Sequence, residues 1–173
     1  MLIELKKLEG MAVGALDEGV KIGAVRRIVV NPESIKLIGF VVKSGTVFAT
    51  IRAVSFLDVV DIDRNGIVIR SRDNLVEVGE VVRIGELVKK RFSLIGLPVK
   101  TKGGKSFGRV VDAVVETTTG DILRIYTKYL FHDFVFERSQ IQKITLGEVV
   151  MKDDSGEAKA KRVLSGKELG ELV

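Results

Sequence analysis

The stretch GLPVKTKGGKSFGRVVDAVV, residues 96–115, has two readings with different consequences. Gly104-Lys105-Ser106 spells the end of a phosphate-binding loop. Such a loop needs a glycine five positions before Gly104, where this chain has Val99, and it must lead from a strand into a helix. Ser106 instead leads into Phe-Gly-Arg-Val-Val-Asp-Ala-Val-Val, rich in β-branched residues and without helical periodicity. No helix N-terminus would face a phosphate. Gly103-Gly104 supplies the left-handed backbone of a tight turn between two strands. The stretch therefore predicts a β-hairpin.

Outward from it, the same pattern occurs earlier in the chain. LEGMAV (8–13) lies over LIGLPV (94–99), and GAVRRIVV (23–30) over GRVVDAVV (108–115). Leu8, Gly10 and Val13 match Leu94, Gly96 and Val99. Gly23, Val25, Val29 and Val30 match Gly108, Val110, Val114 and Val115. The identities fall on turn glycines and core-type valines, the signature of a duplication.

Each copy reads as all-β. Short Val- and Ile-rich segments are bounded by Gly, Asn, Asp and Pro. In copy one the expected strands are Ala24 to Val30, Leu37 to Lys43, Val47 to Ile51 and Ile67 to Arg70, with a type I′ turn at Asn65-Gly66. In copy two they are Arg109 to Glu116, Ile122 to Thr127, Phe134 to Glu137 and Glu148 to Met151. Such spacing suits two small barrels, whose closure removes sticky sheet edges. The expected division is a barrel over 1–81, a linker over 82–93, a second barrel over 94–152 and a polar tail over 153–173. A short helix or turn fits the linker. Ser165 and Glu168 have capping-box spacing for a short terminal helix.

Composition bounds the function. The chain has 173 residues, 46% hydrophobic and 29% charged, with no cysteine, so thiolate metal sites and disulfides are excluded. Neither an apolar leader nor a membrane-length apolar run is visible, so a cytoplasmic protein is expected. The net charge of +5 is shared between the halves and permits an anionic partner without demanding one.

At Gly-Leu-Pro-Val (96–99) and, beyond the turn, Phe-Gly-Arg-Val-Val-Asp (107–112), the chain resembles the PRC-barrel family. That family includes the H subunit of photosynthetic reaction centres and the C-terminal domain of a ribosome maturation factor. The resemblance implies a tandem of two such β-barrels serving as binding or assembly modules, without a shared catalytic set. Copy one departs from the motif, with Ala12 where copy two has Pro98 and Arg27 where it has Asp112.

Other apparent motifs do not hold. Asp61-Ile-Asp-Arg-Asn-Gly66 spells half of a calcium loop, but the closing twelfth position is Arg72, which would repel the cation. His132 is the single histidine and its neighbour Asp133 would point to the opposite strand face. Asp153-Asp154 reads as a solvated pair. No catalytic residue, metal ligand, cofactor or small-molecule substrate is expected.

Two stretches are candidates for binding. Tyr129, Leu130 and Phe131 sit in an aromatic-rich loop region and would mark a partner site if exposed. Lys89, Lys90, Arg91, Lys100, Lys102, Lys105 and Arg109 form a basic stretch that would touch phosphates if it gathered on one face. The leading expectation is a non-enzymatic adaptor with a protein partner. The alternatives are an RNA- or ribosome-associated assembly factor using the basic stretch, and a peripheral membrane protein without a spanning segment.

Overall fold

The structure, a computed structural model, describes residues 1–45, 48–153 and 161–163. Copy one contributes β2 (Ala12–Ala15), β3 (Val20–Asn31), β4 (Lys36–Ser44), β5 (Thr50–Ser55), β6 (Val59–Ile62) and β7 (Ile67–Ile69). Before them come β1 (Leu2–Glu4) and a one-turn helix α1 (Leu5–Leu8). Helix α2 (Val82–Lys89) leads into β8 (Pro98–Thr101), β9 (Ser106–Glu116), β10 (Ile122–Tyr129), β11 (His132–Glu137), β12 (Ile141–Ile144) and β13 (Val149–Met151). A last strand, β14, spans Lys161–Val163.

The protein is all-β, with two curled sheets. The first runs β5-β4-β3-β2-β7-β6. The second contains β11-β10-β9-β8-β13-β12, the same order with each strand replaced by its counterpart. In both, among the described residues, one pairing is parallel: β2 with β7, and β8 with β13. Long strands with register shifts bend each sheet, as bulges do when a sheet curls toward closure.

The glycines of the repeated pattern are explained by close approach. A Cβ on Gly108 would run into the carbonyl of Lys128 on the neighbouring strand, and one on Gly23 would lie 2.7 Å from the carbonyl oxygen of Lys43. Only glycine lets the strands cross so closely.

The expected hairpin at 96–115 is present. Pro98 and Lys100 of β8 face Arg109 and Ser106 of β9, and the Thr101 amide donates to the Lys105 carbonyl at 2.9 Å. Of the two turn glycines only Gly104 takes a left-handed backbone, at φ +90°. The Asp153 carboxylate accepts the Gly103 amide at 2.9 Å, so Asp153 holds the turn and is not merely solvated. The type I′ turn expected at Asn65-Gly66 does not form, because neither residue has positive φ. Asp63 organises that loop instead, its carboxylate accepting the amides of Asn65 (2.7 Å) and Gly66 (3.0 Å). The strand expected at Val47 to Ile51 begins at Thr50 and runs to Ser55; Thr46 and Val47 lie outside the described residues. So do Ser165, Glu168 and Asp154.

Contacts run across residue 81. β1 pairs antiparallel with β9 of the second sheet, Ile3 opposite Val115. α2 lies on the first sheet, burying Ile84 and Leu87. One continuous apolar core links the sheets, taking in Val29, Phe40 and Ile84 from one side and Val115, Ile122 and Phe136 from the other.

The seam between the sheets is built from matching hairpins. The Leu37 amide donates to the Gly120 carbonyl (2.8 Å) and the Ile122 amide to the Ile35 carbonyl (3.2 Å). These are the same bond made twice, because Leu37 and Ile122, like Ile35 and Gly120, are counterparts in the repeat. Lys36 and Asp121 pair antiparallel between them. A local pseudo-two-fold axis therefore passes through the seam.

Candidate functional site

β10 and β11 form a tight hairpin that closes at Tyr129 opposite His132. Leu130 and Phe131 make the turn. Tyr129 is 44% exposed, Leu130 71% and Phe131 93%. Leu130 has φ +53°, a left-handed conformation that glycine or asparagine would hold at lower cost. A leucine and a phenylalanine held in solvent on a strained two-residue turn serve neither the core nor the turn. This is the exposed apolar loop that the sequence raised as a partner site.

Its support is rigid. Phe136 is fully buried, and Phe107 meets Phe134 and Phe136 edge-on at 5.5 and 4.9 Å between ring centres. His132 stacks on Phe134 with ring centres 6.4 Å apart. Gly108 lets β9 approach the Lys128–Tyr129 backbone directly beneath the tip. The hairpin is thereby fixed to the barrel while its turn projects.

The matching hairpin of copy one joins β4 to β5. Phe48 in that connection is 89% exposed. β4 and β10 leave the antiparallel Lys36–Asp121 contact in opposite directions, carrying the two tips away from the seam on opposite sides. Sequence reasoning passed over Phe48. Its signal was the position in the repeat: Phe48 stands two positions before Thr50, where β5 begins, as Phe131 stands directly before β11.

The basic stretch is divided. Lys89 ends α2 on the first sheet, with Lys90 and Arg91 just beyond it, whereas Lys100, Lys102, Lys105 and Arg109 belong to the β8–β9 hairpin of the second. Lys100 is paired with Glu148 at 2.7 Å. The Arg109 guanidinium donates to the Gly96 carbonyl at 2.8 Å. The Lys105 ammonium sits 5.5 Å above the Phe107 ring. Lys100 and Lys102 line one groove with Lys143 and Glu148.

Three carboxyls on β9 and at the seam titrate away from their ordinary values. Removal from water pushes the Glu116 carboxyl up, but the terminal ammonium of Met1 and the amides of Thr119 and Thr118 outweigh it and hold it at about 2. The Asp121 carboxyl is lowered, chiefly by the Thr119 hydroxyl and also by Lys36. Burial pushes the Asp112 carboxyl up, against the opposing hydrogen bonds from Ala113 and Lys6. None of these groups lies at the aromatic tip. Among the described residues no three His, Asp or Glu side chains are grouped to hold a metal ion, and no helix is long and apolar enough to cross a membrane.

Residues 1–76 match the PRC-barrel domain. The match falls on copy one, the half that departs from the motif at Ala12 and Arg27. No curated protein matches the chain.

Proposed function

We propose that the chain is a tandem of two PRC-type barrels acting as a non-enzymatic adaptor, with the β10–β11 tip as its principal contact for a protein partner. The observation that carries this is the turn Leu130-Phe131: two large apolar side chains in solvent, on a backbone that penalises leucine, mounted on a buried aromatic cluster. Aromatic side chains such as Tyr129 and Phe131 are enriched at partner interfaces. The domain match, which covers 1–76, supports the first barrel. The shared strand order and the repeated sequence support reading the second as its copy.

The basic stretch supports an RNA-binding reading less well, since its members sit on two different elements and three of them are engaged within the barrel. The two readings separate on substitution. Tyr129→Ala with Phe131→Ala should abolish capture of the partner. Charge reversal at Lys89, Lys90 and Lys102 should leave it unchanged. Normal binding by the aromatic double variant would remove the tip from the proposal.

A further inference from the structure

We propose that the groove on the outer face of the second barrel, between β8, β13 and β12, binds an acidic, extended segment of a protein. It is a second contact, separate from the aromatic tip, and does not depend on the tip reading.

The groove follows from strand alternation. On β8 and β13, Val99, Thr101, Val149 and Met151 are buried. Lys100 and Lys102, which flank Thr101, are exposed on the other side. Lys100 pairs with Val150 and Val150 with Lys143, so these three stand in one row across the three strands. Two strand spacings, about 10 Å, separate the ends of the row. A register shift between Ile141 and Lys143 leaves Gln142 exposed beside Lys143. The groove holds about 280 Å³, and its lining sets Lys100, Lys102 and Lys143 against a single acid, Glu148.

Only part of this positive charge is answered within the barrel. Lys100 is held by Glu148, whereas the Lys102 and Lys143 ammonium groups have no ion pair among the described residues. The Asp153 carboxylate near the turn is committed to the Gly103 amide. The first barrel shows that the fold does not need this charge. Its equivalent row is Gly14, Val68 and Asp61, and Leu16 stands where Lys102 does. The same strands in the same order carry one acid and no lysine there, so the basic groove is peculiar to copy two.

The lining favours carboxylates over nucleic acid. No arginine lines the groove to grip a phosphate with a paired fork, and no aromatic ring is there for a base to stack on. Lys100 already holds a carboxylate, that of Glu148, at 2.7 Å. Lys100 and Lys102 are spaced as alternate residues of an extended chain, about 7 Å, the interval at which a second extended chain presents its own alternate side chains. The Gln142 amide adds a neutral donor.

The test is an NMR titration of the isotope-labelled full chain, at low salt, with a synthetic peptide alternating aspartate and threonine. Amide shifts are expected at Lys100, Lys102, Gln142 and Lys143 and not at Gly14, Leu16 or Asp61. Lys102→Glu with Lys143→Glu should weaken binding about tenfold or more, because attraction becomes repulsion. Both positions are exposed and unpaired, so the melting temperature should not move. Glu148→Gln frees Lys100 and should tighten binding about threefold. Absent shifts in the groove, equal binding of a peptide with asparagine for aspartate, undiminished affinity in the lysine variant, or weaker binding by Glu148→Gln would each overturn the proposal. A single-stranded RNA of equal charge that binds the same amides more tightly than the peptide would overturn it in favour of a nucleic acid.

Discussion

Lys36 and Asp121 are the same position in the two copies, and they face each other across the seam, ammonium to carboxylate, at 3.4 Å. A perfect repeat would put like side chains at this point. Here the copies have diverged to opposite charges, and the backbone bonds of Leu37 and Ile122 flank the pair symmetrically. Lys36→Asp should destabilise the protein by about 0.5–1 kcal/mol, the usual scale for a partly exposed pair plus the new repulsion. Lys36→Asp with Asp121→Lys should recover most of that loss. Urea denaturation of the four chains of the cycle measures the coupling.

A second divergence has the same form. Arg27 and Asp112 are counterparts whose mismatch looked like a defect of the motif in copy one. The Arg27 guanidinium donates to the Phe92 carbonyl at 2.6 Å, and the Asp112 carboxylate accepts the Lys6 amide at 3.2 Å. Each holds the chain segment that enters the other copy, one through a carbonyl and one through an amide. The Asp112 carboxyl is raised by burial, so its ionisation opposes folding; its contribution is fully present below the unfolded value and is lost as pH rises through the folded one. Asp112→Asn should therefore flatten that part of the stability profile above the ordinary aspartate range. Asp112→Ala, which removes the acceptor, should destabilise by about 1 kcal/mol or more at neutral pH. Thermal melts across pH distinguish the two.

Glu116 has the opposite sign. Its folded carboxyl lies at about 2, below the ordinary 4.5. The stability it contributes is present above the unfolded value and is lost as pH falls from there through about 2. Glu116→Gln should lower stability at about pH 6 and leave it nearly unchanged at about pH 2. Denaturant midpoints at both pH values test this.

Gly108 and Gly104 both have positive φ, but their surroundings differ. A side chain at Gly104 meets nothing within 4 Å, whereas one at Gly108 strikes the Lys128 carbonyl. Gly104→Ala should cost about 1 kcal/mol from backbone strain alone. Gly108→Ala adds the steric conflict and should cost about 3 kcal/mol or more. Comparable losses would show that β9 and β10 do not approach as described.

Much of this architecture was legible in the sequence. The turn glycines and the valine pattern located the hairpin, the repeat and eight of the strands, although one was misplaced. The short strands β1, β2, β6, β12 and β14 were not found, because three or four residues carry too little alternation to stand out, and β8 was expected only as the first arm of the hairpin. The exchange of β1 onto the second sheet and the seam through Lys36 and Asp121 depend on pairings between residues far apart in the chain, which local patterning does not encode. At the candidate site the residues Tyr129, Leu130 and Phe131 were readable, but their exposure was not. Five aromatics in eleven residues look alike until the strand register sends Phe136 inward and Phe131 out.

The central claim is that the tip at Leu130-Phe131 is kept for binding at some cost to folding. Leu130→Gly and Tyr129→Ala/Phe131→Ala chains, compared with the unaltered protein, test it most directly when each is melted and then used as bait in RNase-treated native extract with mass-spectrometric readout. Leu130→Gly is predicted to melt no lower, gaining up to about 1 kcal/mol from relief of the left-handed leucine. Proteins retained by the unaltered bait are predicted to be lost from both variants. Retention of the same proteins by both variants, or a lowered melting temperature for Leu130→Gly, would contradict the claim.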